Sequence, residues 1–338
     1  MKKATFPFHI MIKPCGPICN LACDYCYYLP KAQLYPGSDF RMSYELLEDF
    51  TRQMFAAQPG QEVNFSWQGG EPTLMGLDFY QEALRLQHLL APQNIVVSNS
   101  LQTNGTLIDA KWCQFFRENN FLVGLSLDGP AALHNEFRHT KDGRGSFDGA
   151  MQAVDLFKRF DVNFNILCSL HQANCGYPLE VYRFLRKEVG AEFIQFIPIL
   201  QRTLDQHGQE TQKLTSRSVN GPAYGKFLTA VFDEWVRHDV GKVFVQIFDL
   251  ALGKYLGHPS SLCVFSETCG RAMVLEHNGD VYACDHFVNP DHLLGNITQM
   301  PLVDLVDSEA QKQFGNNKCD KLPQTSVACE FTSLSDVV

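Results

Sequence analysis

Short runs of β-branched and aromatic residues at 6–12, 63–68, 95–102, 122–127, 162–170 and 193–200 each lead into a stretch with helical spacing, at 44–56, 79–90, 108–119, 147–160, 179–189 and 224–238. Strands that alternate with helices return to the sheet by crossovers, which are right-handed and make the strands parallel. The alternation predicts an α/β fold, a partial (β/α)6 TIM-like barrel that stops short of closure. In such an architecture chemistry gathers at the carboxyl ends of the strands. The segments found there are a cysteine-rich loop after the first strand, Gly69-Gly-Glu-Pro72 after the second, Thr103-Asn-Gly105 after the third and Asp128-Gly-Pro130 after the fourth.

At 338 residues the chain exceeds the usual size of one domain. The alternation lapses after His238 and cysteines return, so the expected division is a barrel over 1–240 and a small cysteine-rich unit over 241–338. The polar stretch 201–217 reads as a long loop, either a substrate-side excursion or a solvated linker.

Charge narrows the function classes. With 28 basic against 37 acidic residues the net charge is −9, and no basic run exists, so there is no electrostatic case for nucleic-acid binding. Pro7, His9 and Lys13 interrupt the start before a signal-peptide core develops, and no apolar run is long enough to cross a membrane. The chain reads as soluble and cytoplasmic.

Twelve cysteines are a heavy load for such a chain, and in a reducing compartment they point to metal or redox chemistry rather than disulfides. Cys113, Cys168 and Cys175 lie in apolar surroundings and read as small buried hydrophobes. The others gather toward the two ends. Cys19-x3-Cys23-x2-Cys26 places three soft ligands on one loop, and a [4Fe–4S] cube held by three thiolates keeps one iron open for something other than protein. A zinc knuckle is the alternative, but it needs a fourth donor, for which Cys15 or a distant residue would have to serve. Cys263-x5-Cys269-x14-Cys284 forms a second set, with Asn278-Gly-Asp reading as a hairpin turn ahead of Cys284.

The first triplet, with aromatic Tyr25 just before Cys26, resembles the signature of the radical S-adenosylmethionine superfamily. The resemblance implies that Cys19, Cys23 and Cys26 hold a [4Fe–4S] cluster whose fourth iron is chelated by S-adenosylmethionine, and that the pair yields a 5′-deoxyadenosyl radical. It implies further that the Gly69, Gly70 and Glu71 turn meets the methionine ammonium, and that Gln102, Asn104, Ser126 and Arg138 line the cofactor pocket, Arg138 pairing with the methionine carboxylate. The second cysteine set is similar to a SPASM domain, which implies that Cys263, Cys269 and Cys284 ligate an auxiliary cluster. Lys13-Pro14, Cys26-Tyr-Tyr28, Ser66-Trp-Gln-Gly-Gly-Glu-Pro72, Asn165-Ile-Leu-Cys168, Phe193-Ile-Gln-Phe196 and Leu294-Gly-Asn-Ile297 extend the resemblance to the anaerobic sulfatase-maturating enzymes. That family oxidises a cysteine or serine of a sulfatase to Cα-formylglycine, which implies a sulfatase polypeptide with a Cys/Ser-x-Pro-x-Arg motif as partner, a flavodoxin- or ferredoxin-type reductant, and a monomer. Asp285, directly after Cys284, matches the aspartate that serves as general base; as a plain alternative it is a turn former.

The tail departs from the pattern. Ser326 and Ser335 occupy two ligand positions, and two more fall beyond Val338. The first auxiliary cluster therefore lacks its usual fourth thiolate unless Cys319 supplies one, and the second retains only Cys329, so at most one auxiliary cluster is expected. A serine hydroxyl is a poor ligand for iron. Two other readings follow: an enzyme acting on another ribosomal peptide, which the absence of a leader-binding module before the first strand disfavours, and a non-catalytic paralogue that only binds the sulfatase motif.

Overall fold

The first six strands stand in chain order within one sheet: β1 (His9–Lys13), β2 (Glu62–Trp67), β3 (Val96–Thr103), β4 (Leu122–Ser126), β5 (Phe164–Leu170) and β6 (Phe193–Pro198). Each runs parallel to its neighbour. This computed structural model describes residues 2–204, 210–258 and 262–318. Cys319, Ser326, Cys329 and Ser335 therefore lie outside the described residues.

Helices α1 (Tyr44–Ala57), α2 (Leu77–Leu90), α3 (Ala110–Glu118), a short α4 (Ala131–Asn135), α5 (Phe147–Phe160), α6 (Pro178–Lys187) and α7 (Gly221–His238) make the crossovers. Their starts carry local signals. The Ser43 hydroxyl accepts from Leu46 N–H, the Asp109 carboxylate from Lys111 and Trp112 N–H, and the Asn220 side chain from Ala223 N–H, each satisfying donors a helix leaves orphaned. Between sheet and helices lies the core, dominated by rings: Phe50, Phe65, Trp67, Tyr80, Phe116, Phe121 and Phe157 are all buried, with Trp67 edge-on to Phe79 and Tyr80. Burying such side chains contributes roughly 2–3 kcal/mol each, which is what holds helices of modest propensity in place.

Two features escaped the sequence pattern. Within 201–217 the chain forms a hairpin, β7 (Arg202–Leu204) against β8 (Glu210–Leu214), whose base is tied by Thr215 N–H to Gln201 O at 2.8 Å. Its strands carry no continuous apolar face, so the sequence looks like loop. After α7 a two-residue β9 (Phe244–Val245) adds to β6 in parallel and leads into α8 (Gln246–Tyr255). A strand of that length shows no period.

On the other side of β1 the sheet continues. β10 (Ala272–Glu276) runs parallel to β1, pairing Lys13 with Glu276, and β11 (Asp280–Tyr282) and β12 (Leu293–Asn296) follow antiparallel. The β10–β11 turn uses Gly279 at φ +94°, where a Cβ would meet Asn296 Oδ1 at 2.9 Å. Short helices α9 (Leu302–Val306) and α10 (Glu309–Asn316) close the described chain. The result is one ten-stranded sheet, β12-β11-β10-β1-β2-β3-β4-β5-β6-β9, with no closed barrel among the described residues. Because β10 is parallel to β1, Glu276 ends at the same rim as Lys13, and β11 then runs back antiparallel toward Cys284. Among the described residues no helix is long and apolar enough to cross a membrane.

Candidate active site

Lys13 ends β1, and the chain turns at once into the loop that carries Cys19, Cys23 and Cys26. The turn after β2 seats this loop: Gly70 N–H donates to Gly16 O and Glu71 N–H to Ile18 O, both at 2.8 Å. A Cβ on Gly70 would stand 2.0 Å from Ile18 O, and Gly69 adopts φ +134°, so neither position admits a side chain. Glu71 is fully buried and points beneath the loop. Its Oε1 accepts from Thr73 N–H (3.1 Å), Thr73 Oγ1 (2.6 Å) and Thr103 Oγ1 (2.8 Å), while Oε2 accepts from Asn104 N–H (2.8 Å). Burial pushes its pKa up against the pull of these donors. With both oxygens engaged, Glu71 shapes the turn from inside.

The three cysteines of the loop are partly exposed and within mutual electrostatic reach. Cys19 Sγ accepts from Leu21 N–H at 3.4 Å and from Asn104 Nδ2 at 3.7 Å, and Asn104 Nδ2 also reaches Asn20 Oδ1 at 2.9 Å. Burial pushes the Cys19 thiol up to about 12 and the Cys23 thiol up to about 11, so the thiolates form only as they are ligated. Tyr25 is buried and donates its hydroxyl to Asp128 Oδ2 at 2.5 Å. Arg138, expected on a cofactor carboxylate, is also buried, and its Nε donates to Asp128 Oδ2 at 2.7 Å. Ser126 ends β4 in a buried position, and Gln102 is half-buried near the end of β3.

Asp285 sits where the two cysteine segments meet. Lys13 Nζ stands 2.6 Å from its Oδ1, Tyr27 donates its hydroxyl to Oδ2, and the Lys13 ammonium lies over the Tyr28 ring at 4.5 Å. Burial alone would raise the Asp285 carboxyl, but the Lys13 charge, together with the Tyr27 hydroxyl, holds it below its ordinary value. Tyr28 in turn donates to the buried Glu276 at the end of β10. Cys263, Cys269 and Cys284 lie within electrostatic reach of one another, and burial pushes Cys284 up to about 11. Gln311 of α10 joins the two segments that bear them, donating to Gly270 O at 2.9 Å and Ala283 O at 3.2 Å.

The chain matches the radical SAM superfamily over residues 14–184 and the SPASM iron-sulfur cluster-binding domain over 263–330. It is 43% identical to the serine-type anaerobic sulfatase-maturating enzyme of Bacteroides thetaiotaomicron, covering 98% of this chain and 83% of that one. The chain belongs to the anaerobic sulfatase-maturating enzymes of the radical SAM superfamily. A cysteine-type member from Clostridium perfringens is 36% identical over 91% of this chain and 82% of its own length. The solved structure of native anSMEcpe with bound AdoMet and Kp18Cys peptide superposes with a TM-score of 0.84 at 35% identity, covering 93% of this chain and 84% of that one.

The donor sets fit the clusters that radical SAM and SPASM proteins hold. Among the described residues no three His, Cys, Asp or Glu side chains are grouped to hold a metal ion. A cube distributes its thiolates over separate irons, and three soft thiol donors on one loop supply three of its four ligands. Sequence reasoning missed Gln311 and took Lys13 and Tyr27 only as parts of matching stretches. A lysine inside the apolar alternation of β1 was the available signal; Gln311 left none, because its partners are backbone carbonyls distant in sequence.

Proposed function

We infer that this chain oxidises a serine or cysteine, within a Cys/Ser-x-Pro-x-Arg motif of a sulfatase polypeptide, to Cα-formylglycine. The observation that carries the reading is Asp285: a buried carboxylate, adjacent to Cys284, fixed by Lys13 and Tyr27 at the mouth of the first cysteine loop. When bound, the iron–sulfur groups and S-adenosylmethionine supply a 5′-deoxyadenosyl radical that takes one Cβ hydrogen and an acceptor for the electron that remains. Cys19, Cys23 and Cys26 would hold the first cluster, and Cys263, Cys269 and Cys284 the auxiliary one. The Gly69–Gly70–Glu71 turn, Tyr25, Gln102, Asn104, Ser126 and Arg138 would form the cofactor's surroundings.

The protein's own task is proton transfer and orientation. Loss of a hydrogen and an electron from Cβ yields a carbonyl or thiocarbonyl only if the heteroatom also gives up its proton. Asp285, whose carboxyl Lys13 holds below its ordinary value, is the acceptor for that proton, and Lys13 and Tyr27 fix the orientation of its two oxygens. The reading extends to a flavodoxin- or ferredoxin-type donor, a monomeric enzyme, a cytoplasmic location, and functional units over 1–240 and 241–338.

The test is anaerobic incubation with S-adenosylmethionine, reductant and matched peptides carrying Ser-x-Pro-x-Arg or Cys-x-Pro-x-Arg, followed by mass measurement. Aldehyde formation on either is expected. Production of 5′-deoxyadenosine with both peptides unchanged would sink the assignment.

A further inference from the structure

Opposite the first cysteine loop runs a short segment, residues 137–140, paired with it through the backbone. Ala22 N–H donates to His139 O at 2.8 Å, Asp24 N–H to Phe137 O at 3.0 Å, and Leu21 is bridged antiparallel to Thr140. This register sets Cys23 directly across from Arg138, as a cross-strand pair whose side chains are close neighbours. The guanidinium does not hang free at that position. Its Nε donates to Asp128 Oδ2 at 2.7 Å, and one Nη reaches both Asp128 Oδ1 and Ser169 Oγ at 3.3 Å.

Asp128 is the hub. Fully buried after β4, it accepts from Arg138, from the Tyr25 hydroxyl at 2.5 Å and from Ser169 N–H at 2.8 Å. One carboxylate thus links the cysteine loop, through Tyr25, to the cation that faces Cys23 and to the end of β5. Arg138 and Asp128 are each charged and buried, and together they are neutral.

We propose that Asp128 is a positioning residue that aims Arg138 at Cys23 and neutralises it, so that the ion pair sets the reduction potential of the cluster bound through Cys23. The inference rests on the reading that Cys19, Cys23 and Cys26 hold an iron–sulfur cluster. Reduction adds negative charge to a cluster, so a nearby cation stabilises the reduced form and an anion destabilises it, while N–H donors to ligand sulfur act in the cation's direction. A paired guanidinium offers the donor without a net charge. The electrostatic pull of Arg138 on the Cys23 thiol agrees with this arrangement.

The experiment is an EPR-monitored redox titration of the reconstituted full chain, wild type against Asp128→Asn, Arg138→Gln and the double variant, each without peptide. Asp128→Asn leaves the guanidinium uncompensated and is expected to shift the potential to less negative values. Arg138→Gln removes the donor and is expected to shift it the other way, with the double variant between the two. Loaded single variants that keep the wild-type potential, or that both shift in one direction, overturn the proposal. A variant that does not take up iron is read by alkylation of the iron-free protein, with each cysteine quantified by mass spectrometry. A several-fold faster reaction at Cys23 in Asp128→Asn, or a several-fold slower one in Arg138→Gln, with Cys26 and the buried Cys113 unchanged, supports the arrangement. An equal change at all three, the sign of a merely structural role, or no change at Cys23, rejects it. A wild-type chain that binds no iron and sulfide would instead remove the cluster reading on which the proposal stands.

Discussion

Lys13 Nζ and Asp285 Oδ1 stand 2.6 Å apart, both side chains buried, one at the end of β1 and the other just beyond β11. Neither element alone provides a base. The pairing of β1 with β10 brings the cation to the carboxylate, and the cation keeps that carboxylate ionised in a place where burial would otherwise protonate it.

Lys13→Met leaves Asp285 buried and uncompensated. Breaking a buried ion pair from one side costs about 3–5 kcal/mol. Denaturant unfolding of the iron-free variant is expected to show a loss of that order, and peptide oxidation is expected to fall with it. A stability within experimental error of wild type would show that the pair is solvated rather than buried.

Asp285→Asn keeps the shape and removes the proton acceptor. A general base typically contributes on the order of 10²–10⁴ in rate, and peptide oxidation is expected to drop by that factor. Binding of S-adenosylmethionine, measured by calorimetry on the loaded enzyme, should be unchanged. Full activity would remove Asp285 as the base.

Gly70→Ala forces a methyl group onto the Ile18 carbonyl, 2.0 Å away. The cysteine loop must lift from its seat, and a loss of a few kcal/mol with reduced iron uptake is expected. Gly176→Ala is the control, since nothing lies within 4 Å of its Cβ. Equal iron content in the two variants would contradict the seating of the loop by the Gly69–Gly70 turn.

His134 gives a pH dependence. Buried between Asp128 N–H, which donates to its Nδ1, and Ser146, it has a pKa lowered to about 3 by burial, against 6.5 as the reference value. A histidine with a depressed folded pKa takes up its proton in the unfolded chain first, so its contribution is present above about pH 6.5 and is lost as pH falls toward about 3. The stability gap between the iron-free wild type and His134→Gln is therefore expected to move in favour of the variant between pH 7 and pH 4. Parallel pH–stability curves would refute it.

Gln311→Ala removes the side chain that joins Gly270 and Ala283 and leaves two carbonyls unpaired. The cost is expected at about 1–3 kcal/mol. Iron analysis should show selective loss from the auxiliary set, with the radical-generating cluster retained. Loss from both sets alike would indicate general unfolding.

The sequence was most legible where the physics is local. The six strand–helix alternations read from hydrophobic period stand within a few residues of their observed bounds, and the glycines of the Gly69–Gly70 turn follow from a backbone approach that admits no Cβ. What stayed hidden depends on side chains meeting from distant segments. Arg138 looked like a cofactor-facing cation because its partner, Asp128, read as a rim motif of its own. Strand β9, two residues long, and the polar hairpin β7–β8 carry too little apolar pattern to announce themselves. Glu71 shows the same limit from the other side: its motif was plain, but its four internal donors come from Thr73, Thr103 and Asn104 and appear only once β2 and β3 are paired.

The parallel pairing of β1 with β10 also bears on how the protein is made. Every neighbouring pair from β1 to β6 joins strands close in sequence, whereas β1 must hold one edge open until the segment carrying β10 has left the ribosome. Contacts of such high contact order form late, after the entropy of closing a very long loop has been overcome. The loop with Cys19, Cys23 and Cys26 can thus settle against the Gly69–Gly70 turn during synthesis. The Lys13–Asp285 pair assembles only after the segment carrying β10 and β11 has emerged, so acquisition of the first cluster and completion of the proton acceptor are separate events in the life of the molecule.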